Sequence, residues 1–253
     1  MLHPTERFST RVENYIKYRP GYPPDVLEFL EAECGLTPEW VVADIGSGTG
    51  IFTRLLLEHG NRVYGIEPNQ KMREAGEQLL AGYSRFTSIA GTGEATALPD
   101  RSVDLVTAAQ AAHWFDLQKV RIEVRRILRP DGWATLVWNN RRTDSTPFLR
   151  DYARFVRTYG IAFEKLDHTN LGPADFQAFF GPAGYRLRCF PNVQVFDFDG
   201  LAGRVLSSSY MQEPGHPNHE PMMAALAALF AAHQVNGQVC FEYDTDVFYG
   251  WLS

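Results

Sequence analysis

The sequence predicts a doubly wound α/β fold: a mostly parallel, seven-stranded sheet with helices on both faces, an antiparallel C-terminal edge and helical cap insertions. Three observations predict it. Short apolar runs alternate with helix-period segments from residue 25 to residue 138, and apolar strands alternating with helices call for a parallel sheet covered on both sides. A glycine-rich turn follows the first apolar run and opens a helix. After Asn139 the alternation stops, and aromatic-rich helical stretches mix with strand-like pieces.

In order, residues 25–33 read as a helix entered through Pro23 and Pro24, and residues 40–45 as a buried strand. The glycines at 46, 48 and 50 break that strand, and residues 51–59 regain helical spacing until Gly60 stops it. Strand 62–66, helix 69–80, strand 86–90, strand 103–108, helix 117–128 and strand 133–138 continue the pattern. Residues 146–159 and 218–234 are helical, and 185–190, 193–198 and 239–249 are strand-like, the last of these an antiparallel edge. The helical pieces are expected to cap the crevice beyond the carboxyl ends of the strands, where ligands of such sheets bind.

The 253 residues, 45% hydrophobic, suffice for one large core, and residues 1–253 are expected to form a single domain. Within it, 1–39 form an N-terminal lid and helix, 40–140 a ligand-binding core, and 141–253 the cap and edge strands. A net charge of -6 disfavours nucleic acid and acidic membrane as partners. Residues 1–23 lack a signal peptide's apolar core, and a cytoplasmic protein without a membrane span is expected. Cys34, Cys189 and Cys240 have no metal-ligand spacing and are expected to be ordinary buried thiols. His216-Pro-Asn-His219 lacks further ligands and reads as a turn, so no metal is expected. Met222 to Phe230 reads as a packing helix, and the oligomeric state is not legible.

Asp44-Ile-Gly-Ser-Gly-Thr-Gly50 can bring backbone close to a ligand, because glycine has no Cβ to collide with it. The next strand ends at Glu67-Pro68, whose carboxylate is placed to accept from two ribose hydroxyls. That feature is common to several adenosine cofactors. A second acid, Glu94, follows the third strand, where it can take an adenine amino group while the Ala95 amide donates to a ring nitrogen. A nicotinamide-dependent oxidoreductase needs no such acid, and the GxGxG spacing departs from the GxGxxG that seats a pyrophosphate.

Taken in order, Val42-Ala-Asp-Ile-Gly-Ser-Gly-Thr-Gly50, Glu67-Pro68, Gly93-Glu-Ala95 with Leu98-Pro99, Ser102-Val-Asp-Leu-Val106 and Arg126-Ile-Leu-Arg-Pro-Asp-Gly132 resemble the class I S-adenosylmethionine (SAM)-dependent methyltransferases of the type 11 group. Tyr15-Ile-Lys-Tyr-Arg-Pro-Gly-Tyr-Pro23 and Ala112-His-Trp-Phe115 are similar to the subgroup that includes trans-aconitate methyltransferases. The resemblance implies the Rossmann-like fold of that class and SAM as cofactor, with S-adenosylhomocysteine as product. It places Asp44, Gly46, Ser47, Gly48, Thr49 and Gly50 around the methionine part, Glu67 and Pro68 at the ribose, Glu94 and Ala95 at the adenine, and Gln110 and Ala111 near the sulfonium. Tyr15 and Arg19 are expected in a cofactor lid, Arg19 facing the cofactor carboxylate.

The acceptor implied is a small molecule, in particular a carboxylate. Its expected contacts are Tyr18, Trp114, Asn139, Arg141 or Arg142, Arg204, Ser207, Ser209 and Tyr210. His113 stands at a strand mouth and is the candidate general base, or else a histidine that shapes the pocket. The competing readings are a nicotinamide-dependent oxidoreductase and a non-catalytic SAM-binding protein.

Overall fold

The computed structural model describes residues 12–161 and 171–252. Seven strands form one sheet in the order β3-β2-β1-β4-β5-β7-β6. They are β1 (Val41–Ile45), β2 (Arg62–Ile66), β3 (Phe86–Ile89), β4 (Val103–Ala109), β5 (Leu128–Arg141), β6 (Arg186–Phe196) and β7 (Val239–Trp251). The pairs from β3 across to β5 are parallel, and β7 is antiparallel to both β5 and β6. The predicted architecture is therefore present. Chain order reverses between β1 and β4, and the crevice at that switch point is where a doubly wound sheet holds its ligand.

The described helices are α1 (Val12–Tyr18), α2 (Asp25–Cys34), α3 (Ile51–His59), α4 (Gln70–Leu79), α5 (Leu117–Ile127), α6 (Pro147–Tyr159), α7 (Pro173–Phe180), α8 (Phe198–Leu206) and α9 (His219–His233). One face of the sheet packs Ile45, Val106 and Leu136 with Val124 of α5 and Phe179 of α7. The other packs Val42, Val63 and Val137 with Leu30 of α2 and Leu56 of α3. A third cluster joins α6, α8 and α9 to Phe196, Val239, Phe241 and Tyr243. The β6–β7 ladder runs on beyond Arg141, the last β5 residue paired with β7, and carries this cluster past the sheet as a cap at the carboxyl end of β5.

Several expectations change. β6 is one strand and not two pieces, because Pro191 lies where the missing amide costs no internal ladder: β6 is an edge. β5 starts five residues earlier than the sequence pattern indicated, its extra stretch irregularly paired to β4. The chain turns after Ile89, so Gly93 to Ala95 form a tight bridged loop and not a strand end. The sequence pattern does not show helices α1, α7 and α8. In α8 the glycines at 200 and 203 hide the helical pattern, although Asp197 caps it by accepting from the Gly200 amide. Only Cys34 is a buried thiol, its pKa pushed up to about 12 by burial; Cys189 on β6 and Cys240 on β7 are exposed.

Candidate active site

A cavity of about 300 Å³ opens at the carboxyl ends of β1 to β4. Its wall comes from the turn after β1 (Gly46, Gly48), the tip of β2 (Glu67, Pro68, Asn69), Met72 of α4 and the loop after β3 (Thr92, Gly93, Glu94). Gln110, Ala111, Trp114 and Phe115 after β4 complete it, with Tyr15 of α1 as cover.

Glu67 is held by the chain around it. Its Oε2 accepts from the Gly48 amide at 2.9 Å and its Oε1 from the Asn69 amide at 2.8 Å. Burial raises its pKa, and those two amides with Arg73 oppose the rise. Each carboxylate oxygen thus has one bond fixed and lone-pair capacity left toward the cavity, suited to a vicinal diol. Gly48 has φ +58, a left-handed backbone that favours glycine, and it lines the cavity without a side chain.

Asp44 lies beneath the turn, 1% exposed and outside the cavity lining, accepting from Thr53 Oγ1 at 2.6 Å and Thr107 Oγ1 at 2.9 Å. Burial pushes its pKa up to about 6 against those two hydroxyls. Ser47, Thr49 and Gly50 are not among the lining residues. Gly50 has φ +85 and the place of its side chain is filled by Leu80, so this glycine serves helix packing and not ligand approach.

Glu94 lines the cavity and accepts from the Asp116 amide at 3.1 Å. Ala95 does not reach it: the residue is exposed and its amide already donates to the Thr92 carbonyl. Gln110 reaches αL backbone (φ +55), and its side chain donates to the Asn139 carbonyl. His113 sits half-buried on a short 3₁₀ turn, its ring 4.9 Å from that of Trp114, and is not part of the lining. Asn69, Met72, Thr92, Gly93 and Phe115 were missed. Asn69, directly after Glu67-Pro68 and capping α4, could have been found from its position.

The remaining predicted residues form a second group under the cap. Tyr18 lies against Gly203 of α8, where a Cβ would come within 2.0 Å of its ring. Asn139 braces the N-terminal segment by donating to the Gly21 carbonyl. Arg19 turns away from the cavity. Its Nη2 donates to the Ser207 carbonyl at 3.0 Å, while its guanidinium lies 4.9 Å from the Tyr15 ring. Arg204, 5% exposed, donates to Ser208 Oγ at 3.1 Å. Arg141 stacks over the Tyr152 ring at 4.6 Å. Burial raises the Tyr210 hydroxyl, but Arg141, Arg204 and Arg19 outweigh it and hold it below the ordinary tyrosine value. Arg142 points outward into ion pairs with Asp244 and Glu242. His216 sits in the turn before α9, accepting from the Asn218 amide, and His219 is the first residue of that helix. Among the described residues no cluster of three or more His, Cys, Asp or Glu could hold a metal, and no helix is long and apolar enough to cross a membrane.

Residues 43–136 match the family model described as a methyltransferase domain. An uncharacterised methyltransferase of Mycobacterium tuberculosis is 38% identical over 134 residues, covering 53% of this chain and 52% of that protein. The chain thus matches about half the length of that relative. A protein of Anaeromyxobacter dehalogenans, named as a candidate type II methyltransferase, superposes with a TM-score of 0.68 at 21% identity, covering 93% of this chain and 98% of its own. A SAM-dependent methyltransferase of Geobacter sulfurreducens, solved with S-adenosyl-L-homocysteine, gives 0.51 at 20% identity over 96% of each chain. At these identities the two structures share the fold.

Proposed function

We propose that this chain transfers the methyl group of S-adenosylmethionine to a small-molecule acceptor, and that the acceptor presents a carboxylate. The observation that carries the cofactor reading is Glu67, fixed by the amides of Gly48 and Asn69 at the wall of an adenosine-sized cavity. The methyltransferase match over residues 43–136 and the SAH complex of a protein with this fold support the same reading. When bound, SAM supplies a methyl group on a positively charged sulfur. Glu67 would take the ribose hydroxyls, Glu94 stands on the adenine side, and Gly46, Gly48, Gln110 and Ala111 would line the methionine side.

This chain's own contribution is chiefly placement. Aligned reactants gain about 7–11 kcal/mol over free ones. Tyr15, Trp114 and Phe115 close the cavity with aromatic surface, excluding water from the transfer. A carboxylate is already ionised at neutral pH, so its methylation needs no base, in keeping with His113 standing outside the lining. The similarity of residues 15–23 and 112–115 to a group that esterifies small acids supports such an acceptor.

Calorimetric titration of SAM, SAH and NAD into the wild type and Glu67→Ala tests the cofactor. SAM and SAH are expected to bind the wild type and to weaken by at least about tenfold in the variant, the loss of two hydrogen bonds to a charged group. Binding of NAD alone would end the methyltransferase reading.

A further inference from the structure

A second cavity opens at the end of the sheet opposite the cofactor cavity, where β4 and β5 begin and the antiparallel β7 ends. Its volume is about 430 Å³, against about 300 Å³ for the cofactor cavity, and no described residue lines both. Arg101 comes from the turn before β4, Arg125 from the last turn of α5, and Arg129 and Asp131 from the start of β5. Trp251 and Leu252, at the end of β7 and just after it, complete the wall.

The cavity is basic on a chain whose net charge is -6. Arg129 is held by Asp104, its Nη1 donating to the two carboxylate oxygens at 2.8 and 2.7 Å. Arg126, next to Arg125 but outside the lining, is held in the same way by Glu123 and Asp100. Arg101 and Arg125 have no acidic partner among the described residues. Asp131 is the one carboxylate of the lining, and two unpaired guanidiniums outweigh it.

The backbone singles out the same place. Among the described non-glycine residues with left-handed backbone, Gln110 lines the cofactor cavity, and Arg101 (φ +51) and Asp131 (φ +66) line this one. Aspartate takes that conformation readily, but an arginine there is strained and glycine would take it more easily. Such strain collects at ligand sites, where it fixes the direction of a side chain.

Trp251 is 45% exposed, and its ring centre lies 4.2 Å from that of Trp133, which is itself buried and stacked on Tyr249. The indole is therefore held by the ring beneath it while nearly half of its surface stays open. An aromatic surface beside unpaired guanidiniums suits an aromatic phosphate, because the rings stack and arginine forks bind phosphate oxygens in pairs. A bare anion would make no use of Trp251, and an uncharged aromatic none of the arginines. A phosphate dianion matches two guanidiniums.

We propose that this cavity binds a nucleoside monophosphate, its base on Trp251 and its phosphate between Arg101 and Arg125, with Asp131 accepting from a base amino group or a ribose hydroxyl. The site is separate from the cofactor cavity, and the inference does not rest on the methyltransferase reading.

The test is calorimetric titration of GMP, UMP, guanosine, inorganic phosphate and a short single-stranded oligonucleotide into the wild type, Arg125→Gln, Trp251→Ala and Glu67→Ala. At least one of the two nucleotides is expected to bind the wild type and Glu67→Ala alike, at least about tenfold more tightly than guanosine or phosphate. Arg125→Gln and Trp251→Ala are each expected to lose at least about that factor. Binding of neither nucleotide, equal binding of phosphate or guanosine, or undiminished binding in those two variants overturns the proposal. So does a loss in Glu67→Ala, which would put the nucleotide in the cofactor cavity, or tighter binding of the oligonucleotide, which would make the cleft a nucleic-acid surface. Should Trp251→Ala fail to fold, Arg125→Gln, the replacement of an exposed side chain, carries the test.

Discussion

Asp44 offers the most quantitative check on the structure. Its carboxylate is 1% exposed, and its pKa stands near 6 where an ordinary aspartate has 3.8. The folded protein therefore binds a proton there more tightly than the unfolded chain does. The stability this lends is full below pH 3.8 and is lost as pH rises through 6. At 1.36 kcal/mol per pH unit the loss is on the order of 3 kcal/mol by pH 7. Asn in its place cannot titrate. Its oxygen can still accept from Thr107 and its amide can donate to Thr53, the two hydroxyls that bond Asp44 now.

Urea unfolding of wild type and Asp44→Asn from pH 4 to pH 7.5 should show the variant gaining on the wild type by that order of magnitude as pH rises. Glu67, whose pKa burial also raises, and Tyr22, held far above the ordinary value, both feel Asp44. Tyr22 stays protonated throughout this range, and loss of the Asp44 charge lowers the Glu67 pKa in the variant, a change that adds to the variant's gain as pH rises. A difference that stays flat across the range would refute the reasoning.

Gly203→Ala places a Cβ within 2.0 Å of the Tyr18 ring. It is expected to cost about 1–3 kcal/mol in overpacking and to speed hydrogen exchange in residues 12–19; unchanged exchange would mean that α1 does not depend on α8. Ala97 is exposed with φ +62, so Ala97→Gly should relieve left-handed strain and raise stability by about 1 kcal/mol in urea unfolding. His113→Ala should leave methyl transfer to a carboxylate acceptor flat from pH 6 to 8. A loss of about 10²-fold or more with binding intact would make His113 a general base and exclude the carboxylate.

The parts of the site that were legible in the sequence are those set by local chain direction. A strand followed by a glycine turn must deliver Gly46 and Gly48 to the carboxyl end of the sheet, and the tip of the next strand must deliver Glu67 beside them. Side-chain destinations settled by packing were not legible. Ala95 has the expected position, but a bridge to Thr92 consumes its amide. Gly50 looks like a third ligand-facing glycine until Leu80 of the following segment fills the space. The neighbours of Arg19 in the lid point it at the cofactor carboxylate, and only the packing of α1 on α8 turns it to Ser207. Arg141 and Arg204 are expected together at the acceptor from the sequence, but Arg19 joins them only through the packing of α1 on α8 in the cap built on the β6–β7 ladder.

The N-terminal segment has a consequence for the order of events at the site. Tyr15 covers the cofactor cavity, Tyr18 packs on α8, Arg19 bonds Ser207 beside Arg204, and the Gly21 carbonyl accepts from Asn139 and Asn192 of the sheet. One short stretch is thus a wall of both the cofactor cavity and the arginine group. Its placement buries Arg19 near the like charge of Arg204, which lowers the Arg19 pKa after burial itself. A ligand that held Arg19 would hold the segment, and with it Tyr15, over the cofactor cavity. Linkage would make the effect mutual: whatever factor such a ligand added to SAH affinity, SAH would add to the affinity of that ligand.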